Sequence, residues 1–242
     1  MLESVAITDI GKRRKLNQDY IYESREKIGN LPNIFIVADG MGGHNGGELA
    51  SQWTVQTVLD EVAVFAGKNP KKILDYAIQA ANRVIRRKAS ENYELYGMGT
   101  TIVAATLTGN NLYVANVGDS RLYVANPNKK SIRQITKDHS MVEEMVRLGG
   151  MAKETAQHHP DKHIITRAVG AKEKLQVDFF HEKLAANEIV LLCSDGLTDM
   201  LEDAEIGNIL YSDMNVEKKA KTLMETANEH GGKDNIAIVL IQ

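Results

Sequence analysis

Five apolar stretches of this chain have an aspartate at one end, and the positions of these aspartates constrain the fold. Three stretches end in an aspartate beside a glycine, at Asp39, Asp119 and Asp195, and two begin with an aspartate, at Asp19 and Asp234. Short apolar runs bounded in this way are typical of buried β-strands. If the strands alternate in direction, three strand ends and two strand starts meet at one edge of a sheet. We therefore expect the five carboxylates to lie close together.

Carboxylates gathered at one edge require positive charge between them. Two like charges about 4 Å apart cost roughly 1 to 4 kcal/mol at dielectric constants between those of water and a protein surface. Oxygen ligands favour magnesium, manganese or calcium over zinc or copper. A neighbouring glycine such as Gly40 permits a sharp turn and a close approach of a main-chain carbonyl. One Asp-Gly pair usually indicates only a turn, but the recurrence at five strand ends predicts a divalent metal site.

The composition limits the classes of partner and the location. The 242 residues are 43% hydrophobic and 25% charged with a formal net charge of -3, so neither nucleic acid nor an anionic membrane is an expected partner. No apolar run approaches the roughly 20 residues of a membrane span, and no secretory leader opens the sequence, so a cytoplasmic location is expected. The single cysteine, Cys193, excludes an internal disulfide and is expected to be a buried structural thiol.

Hydrophobic periodicity predicts the class of fold. Asn69 and Pro70 mark the start of a helix that runs to about residue 89, directly after a helix over 47–65. Two helices in succession argue against a βαβ repeat, and the short connections between later strands require antiparallel neighbours. Residues 149–163 lack periodicity and are interpreted as a flap. We predict an α+β fold, a four-layer α-β-β-α sandwich of two mainly antiparallel sheets flanked by helix pairs. The remaining predicted elements are strands over 5–8, 19–23, 34–38, 100–107, 112–117, 121–125, 131–135, 175–180, 189–193 and 235–241, and helices over 140–148, capped by Ser140, and about 215–230.

Eight short motifs follow one another along the chain. They are Arg14-Lys-Leu-Asn17-Gln-Asp19, Asp39-Gly40-Met41-Gly42-Gly43-His44, Gly99-Thr100-Thr101, Gly118-Asp119-Ser120-Arg121, Asp138-His139-Ser140, Ile165-Thr-Arg167-Ala-Val-Gly170, Ser194-Asp195-Gly196 and Asp234-Asn235. In this order they resemble the metal-dependent serine/threonine phosphatases of the PPM, or type 2C, family, and in particular its bacterial members. The resemblance runs from about Thr8 to the end of the sequence. It implies a single phosphatase catalytic domain over residues 1–242, with a flap subdomain at about 139–170.

The resemblance also implies roles for the metal-site residues. Asp39 would bridge two metal ions, either Mg²⁺ or Mn²⁺, and the carbonyl of Gly40 would complete the second site. Asp195 and Asp234 would hold the first ion, and Asp19 would act through metal-bound water. Asp119, together with Asp195, matches the position of a third ion in bacterial members.

Other positions match substrate-binding residues of the family. Arg14 would bind the substrate phosphate and, with Asp39, forms the expected catalytic pair, because a guanidinium matches phosphate oxygens as a lysine does not. Ser120, Thr166 and Arg167 are the expected substrate contacts at the flap. Met41 stands where many eukaryotic members have a histidine proposed as proton donor. His44 is therefore a candidate proton donor, with metal-bound water as another, although His44 could equally cap or cover the next helix.

The implied activity is hydrolysis of phosphoserine and phosphothreonine in proteins. A hydroxide bridging the metal ions would attack phosphorus in line, without a covalent phosphoenzyme. Cys193 has Asp199 rather than arginine six positions later, and Val37 stands two positions before Asp39, so neither a cysteine-dependent nor an aspartyl-phosphate mechanism fits. The expected partners are phosphorylated proteins, namely substrates of cytoplasmic serine/threonine kinases in signalling and the kinase itself, and the expected oligomeric state is a monomer.

Three alternatives follow from the same residues. The first is a catalytically silent binding or scaffold module of the same fold, against which the intact aspartates argue. The second is a nucleotide-binding oxidoreductase, suggested by the glycine-rich segment 40–45, which lacks the last glycine of a dinucleotide loop. The third is a zinc site at His158, His159 and His163, a spacing that lacks a matching cysteine or carboxylate partner.

Overall fold

The computed structural model describes residues 2–42, 46–152, 155 and 159–242. Within these residues, most strands and helices lie where the sequence predicts them. The strands are β1 (Ser4–Asp9), β2 (Asp19–Ser24), β3 (Ile34–Met41), β4 (Gly99–Thr100), β5 (Ile102–Thr108), β6 (Asn111–Val117), β7 (Arg121–Asn126), β8 (Ser131–Gln134), β9 (Asp178–Lys183), β10 (Ile189–Cys193) and β11 (Ile236–Ile241). The α-helices are α1 (Gly46–Val64), α2 (Pro70–Glu91), α3 (Met141–Arg147), α4 (Asp195–Thr198), α5 (Asp203–Leu210) and α6 (Val216–Glu229), and short 3₁₀ turns occupy Tyr93–Leu95 and Pro160–His163.

The strands form two antiparallel sheets. One sheet has the order β1-β11-β10-β7-β8, and the other has the order β2-β3-β5-β6-β9, with β4 paired to β3. Every strand pairing between named strands is antiparallel. The chain crosses from the second sheet to the first between β6 and β7, at the turn that contains Asp119.

Alternating side chains explain why the central strands read as continuous apolar runs. In β3, Ile34 and Ile36 pack toward α1 and α2, whereas Phe35 and Val37 pack toward the other sheet. Strands β10 and β11 divide their side chains in the same way between α4, α5 and α6 on one face and the opposite sheet on the other. A strand buried on both faces has no polar side to expose. Three apolar layers result, and the predicted α-β-β-α sandwich is confirmed.

Helix ends follow the capping signals of the sequence. The Asn69 side chain accepts a hydrogen bond from the Lys72 amide at the start of α2. The Ser140 hydroxyl accepts one from the Glu143 amide and begins α3 as predicted. Such caps satisfy amides that have no partner inside the helix. No helix within the described ranges is both long and apolar enough to cross a membrane.

One predicted strand is misplaced, and two short helices, α4 and α5, were not predicted. The strand predicted over 175–180 begins only at Asp178 and continues to Lys183. Leu175 is instead buried against the helices, and its carbonyl accepts a hydrogen bond from Gln79 of α2. Helix α5 was not predicted, although Glu202 and Glu205 form a capping box at its start. The helix has only eight residues, and Gly207 is one of them. Its apolar pattern is therefore too short to indicate a helix from the sequence.

Candidate metal centre and active site

Four of the five aspartates meet where β2 and β3 of one sheet face β10 and β11 of the other. Asp19 and Asp39 are directly opposite each other in the β2–β3 ladder. The hydroxyl of Ser194, which follows β10, donates to Asp19 Oδ2 over 2.7 Å and so connects the two sheets. The site lies between two sheets, rather than along the edge of one sheet as the sequence pattern suggested. Convergence itself was predicted correctly.

Asn235 holds the strand starts and the N-terminal loop together. Its side-chain oxygen accepts a hydrogen bond from the Gln18 amide over 2.8 Å. Its side-chain amide donates to the carbonyl oxygens of Ile10 and Leu16, each over 2.9 Å. The residue before it, Asp234, is therefore placed beside the loop that leads into β2.

The glycines beside two aspartates are required by close packing of the backbone. A side chain at Gly40 would collide with the carbonyl oxygen of Gly47, and one at Gly196 would collide with that of Asn235. The Gly40 amide also donates to the Gln18 carbonyl over 3.1 Å. The Asp-Gly pairs thus bring separate backbone segments into contact at the site, which any larger residue would prevent.

Burial and mutual repulsion oppose ionisation of the carboxylates. Burial is the largest cause that raises the pKa of Asp19, which reaches about 8, and the charges of Asp195 and Asp234 raise it further. Burial followed by the neighbouring aspartates also raises the pKa of Asp39 well above its ordinary value. The same causes raise the pKa of Asp119 and, less strongly, that of Asp234. These carboxylates therefore require a cation if all of them are to be ionised at neutral pH.

Unsatisfied oxygen atoms indicate where a cation fits. In the described part of the chain, Asp19 Oδ1 and Asp195 Oδ1 are buried and have no hydrogen-bond partner. Buried polar atoms without a partner are rare in folded proteins. The donors are carboxylate oxygens, the type that magnesium and manganese prefer. The residues present therefore fit divalent metal.

The backbone of Asp39 is fixed by two threonines. Its carbonyl accepts hydrogen bonds from the Thr100 hydroxyl and from the Thr101 amide, each over 2.8 Å. Its amide donates to the Thr101 hydroxyl over 3.0 Å. The Ser120 hydroxyl lies 2.7 Å from that of Thr101, and Ser120 is completely buried. The Ser120 hydroxyl thus supports the Asp39 backbone through Thr101, and the predicted contact of Ser120 with substrate stays a prediction.

Arg14 lies at the solvent side of the metal centre. One of its Nη atoms donates to Asp234 Oδ2 over 2.5 Å, and half of its side-chain surface is exposed. The structure thus brings Arg14 to the aspartates. His44, the candidate proton donor, lies outside the described residues.

Asp119 occupies the turn between β6 and β7 and is almost completely buried. Nearby, the Arg121 guanidinium donates to both carboxylate oxygens of Asp138 over 2.7 to 3.1 Å. This positive charge lowers the pKa of Asp119, but less than burial raises it. The negative charge of Asp195 also raises the pKa of Asp119, and the charge of Asp119 in turn raises the pKa of Asp39.

A network that the sequence did not predict connects this turn with the flap. The buried His139 ring accepts a hydrogen bond from the Gly118 amide through Nδ1 over 3.0 Å, and its Nε2 lies 3.2 Å from Asp178 Oδ2. An accepting Nδ1 places the proton of neutral His139 on Nε2. Burial is the main cause that lowers the pKa of His139. Arg167 donates to Asp178 Oδ1 over 2.9 Å and is only partly exposed. The side-chain oxygen of Thr166 is buried without a partner among the described residues.

The 3₁₀ turn of the flap contacts the residues after β10. Lys162 Nζ lies 2.8 Å from Asp199 Oδ1, and His163 Nδ1 lies 3.3 Å from Asp199 Oδ2 and 3.9 Å from Asp195 Oδ2. The carboxylates near His163 thus come from residues distant in sequence, which the histidine spacing could not reveal. His158 lies outside the described residues.

Comparison with known proteins gives the family. The family described as Protein phosphatase 2C matches residues 11–240. The serine/threonine phosphatase stp of Listeria welshimeri is 40% identical over 241 residues, which cover 97% of this chain and 93% of that protein.

Solved structures agree with this result. The serine/threonine phosphatase Stp1 from Staphylococcus aureus is 34% identical with a TM-score of 0.92, covering 100% of this chain and 94% of that one. The catalytic domain of the phosphatase PstP, solved in complex with two manganese ions, is 32% identical with a TM-score of 0.86, covering 100% and 97%. The chain therefore belongs to the protein phosphatase 2C family, as predicted, and is an enzyme of the serine/threonine phosphatase class.

Proposed function

We propose that this protein hydrolyses phosphoserine and phosphothreonine in proteins with Mg²⁺ or Mn²⁺ held by Asp19, Asp39, Asp195 and Asp234. The observation that carries the proposal is the pair of buried, unsatisfied oxygens of Asp19 and Asp195 among carboxylates whose pKa values are raised. A group of this kind is unfavourable unless cations neutralise it.

The ligand roles follow the positions of the side chains. Asp39 lies opposite Asp19, and the charges of Asp195 and Asp234 also raise its pKa. This central position suits a carboxylate that is shared by two ions. The Gly40 carbonyl and Asp19, acting through water, complete the proposed set, and Asp119 with Asp195 is the proposed position of a third ion. When bound, such ions supply a water that ionises at neutral pH and neutralise charge on the transferring phosphoryl group. The PstP structure, solved with two manganese ions, supports a centre of two metal ions.

Arg14 is proposed to bind and orient the substrate phosphate. Its side chain is half exposed and its present partner is the carboxylate of Asp234. A cation on Asp234 would weaken that ion pair and leave the guanidinium fork available for two phosphate oxygens. His44 remains a proposed proton donor to the leaving alcohol.

The proposed reaction proceeds without a covalent phosphoenzyme. Cys193 is completely buried, and burial raises the pKa of its thiol to about 12, so it is not a thiolate nucleophile at neutral pH. The Ser194 hydroxyl is also buried and donates to Asp19. Neither side chain faces solvent.

We also propose that residues 1–242 form one catalytic domain with a flap subdomain at about 139–170 that contributes to substrate choice. The contacts of Lys162 and His163 with Asp199 bring this segment to the metal centre, which supports the proposal. Thr166 and Arg167 remain proposed contacts at the base of the flap. The protein is proposed to be a monomer that acts in the cytoplasm. Its proposed substrates are proteins phosphorylated by serine/threonine kinases, and such a kinase itself.

Phosphate release from a phosphothreonine peptide tests the proposal. We expect release with Mn²⁺ or Mg²⁺, none with chelator, and none from Asp39→Ala. The matched control is Asp60→Ala, which removes an exposed carboxylate on α1 far along the helix from the site and should keep full activity. Metal binding by folded wild-type protein without phosphate release would refute the proposal and favour the silent binding module.

A further inference from the structure

A basic cleft of about 210 Å³ lies beside the base of the flap. The residues that line it are Arg167, Ala168, Lys172, Lys174, Leu175 and Gln176. Three of these side chains are cationic and none is acidic. The protein as a whole has a net charge of -3, so this cleft is a local reversal of charge.

The cleft adjoins the metal centre through paired backbone segments. Gly40 pairs with Thr100 at the end of β3, and Thr100 in turn forms a bridge with Val169. Both hydrogen bonds of that bridge are present, at 3.1 and 2.9 Å. Because paired strands lie about 4.8 Å apart, the segment 167–169 is roughly 10 Å from Asp39.

The backbone that carries the lysines is fixed to α2. Asn82 is buried, accepts a hydrogen bond from the Gly170 amide over 2.8 Å, and donates to the Lys172 carbonyl over 3.0 Å. Gln79 donates to the Leu175 carbonyl over 3.0 Å. The loop is therefore held in place before any ligand arrives, which lowers the entropic cost of binding.

The two lysines are available for a ligand. Lys172 and Lys174 are exposed, and neither has an ion-pair partner within 4.0 Å among the residues that the structure describes. Arg167 differs, because Asp178 neutralises it at the inner end of the cleft. Two cationic side chains, Lys172 and Lys174, thus lie at the outer end of the cleft, on either side of the exposed Glu173, which does not line it.

We propose that this cleft binds an acidic side chain of the phosphoprotein substrate, placed at least three residues from the phosphorylated residue. This minimum follows from the distance of roughly 10 Å to the near end of the cleft at 167–169, since an extended peptide advances about 3.3 to 3.6 Å per residue; Lys172 and Lys174 follow farther along the chain. This inference rests on the proposed phosphatase function and adds a substrate preference to it.

The test compares phosphothreonine peptides of equal length. One carries two glutamates at the third and fourth positions before the phosphothreonine, another carries them after it, and a third has glutamines at all four positions. We expect one glutamate peptide to have a kcat/KM about 3- to 10-fold above that of the glutamine peptide, the effect of one or two partly exposed charge pairs. The preference should shrink at high salt, because salt screens exposed charges.

Charge reversal locates the effect. Lys172→Glu/Lys174→Glu should abolish or invert the preference, and Lys172→Gln/Lys174→Gln should abolish it. The control Lys68→Glu/Lys129→Glu changes the net charge equally at two other exposed lysines and should retain the preference. Thermal unfolding curves identify any variant that fails to fold, and the glutamine pair then serves as the test.

The outcomes separate the two proposals. Equal kcat/KM for the three peptides with the wild-type enzyme, or loss of preference in the control pair alone, would overturn the basic cleft as a docking site and leave the phosphatase function standing. Failure to release phosphate from every peptide with metal present would overturn the proposed function, and the docking inference with it.

Discussion

The raised pKa of Asp19 allows the charge balance of the metal centre to be measured in the protein without bound metal. The ordinary pKa of an aspartate is 3.8, and burial with neighbouring negative charges raises that of Asp19 to about 8 in the folded protein. Between these values the folded state retains a proton that the unfolded state has lost. The contribution of Asp19 to the free energy of unfolding is therefore fully present below about pH 4 and is lost as the pH rises through about 8.

The size of the effect follows from the two pKa values. At about 1.36 kcal/mol for each pH unit, the interval gives an upper bound of about 6 kcal/mol in the free energy of unfolding. For a chain of this length, about 1 kcal/mol corresponds to a change of roughly 2 to 4 °C in Tm. A loss of only a few kcal/mol between pH 5 and pH 8.5 is therefore measurable.

Urea unfolding of metal-free protein between pH 5 and pH 8.5 provides the assay. We expect stability to fall toward high pH, and millimolar Mg²⁺ to restore it at pH 8.5, because a ligand that binds only the folded state stabilises it. Asp19→Asn should weaken the pH dependence and reduce the stabilisation by Mg²⁺. Asp60→Asn, a change of the same charge at an exposed site, should alter neither. Metal-free protein that is equally stable at both pH values, or an unchanged slope in Asp19→Asn, would refute the reasoning.

Three further predictions concern single side chains. Gly40→Ala should lower the free energy of unfolding by about 3 kcal/mol or more in urea unfolding, because its Cβ would meet the Gly47 carbonyl. Gly97→Ala, at a positive φ with open space around it, should cost only about 1 kcal/mol, and equal costs would contradict this account. A water-soluble alkylating reagent should leave Cys193 unmodified in the folded protein at pH 8, as judged by mass spectrometry, because the thiol is buried with a pKa of about 12; rapid modification would contradict the burial. Asp199→Asn should speed hydrogen exchange of the Lys162 amide several-fold, because the charge that holds the Lys162 side chain is removed, and unchanged exchange would show that the ion pair does not restrain the turn.

The sequence predicts those features that repeat along the chain. Short apolar runs with aspartates at their ends identified the sheets and predicted that the aspartates, Asp19 and Asp39 among them, would lie close together. Helix α2 was readable because Asn69 and Pro70 coincide with a long apolar face. In each case the signal lies within one element, and local propensity agrees with the tertiary fold.

Contacts between distant segments were not readable in the same way. Ser120 lies in a motif beside Asp119, and only the structure shows that its hydroxyl faces Thr101 rather than solvent. The pairing of His139 with Asp178 joins a loop residue to the start of β9, 39 positions away. The apolar character of Leu175 extends the strand pattern in the sequence, but the contact with Gln79 of α2 holds Leu175 in a loop. Tertiary packing decided all three.

The hydrogen bonds of Asn235 hold the loop before β2 against the start of β11. Its side chain binds the carbonyls of Ile10 and Leu16 and the amide of Gln18, so it fixes the loop that carries Arg14 on one side and leads to Asp19 on the other. Asp234 precedes it directly and accepts the Arg14 hydrogen bond. The proposed phosphate-binding arginine and two proposed metal ligands therefore share a single support. Their relative positions depend on three hydrogen bonds to one buried amide side chain, which is why the Asp-Asn pair acts as a unit.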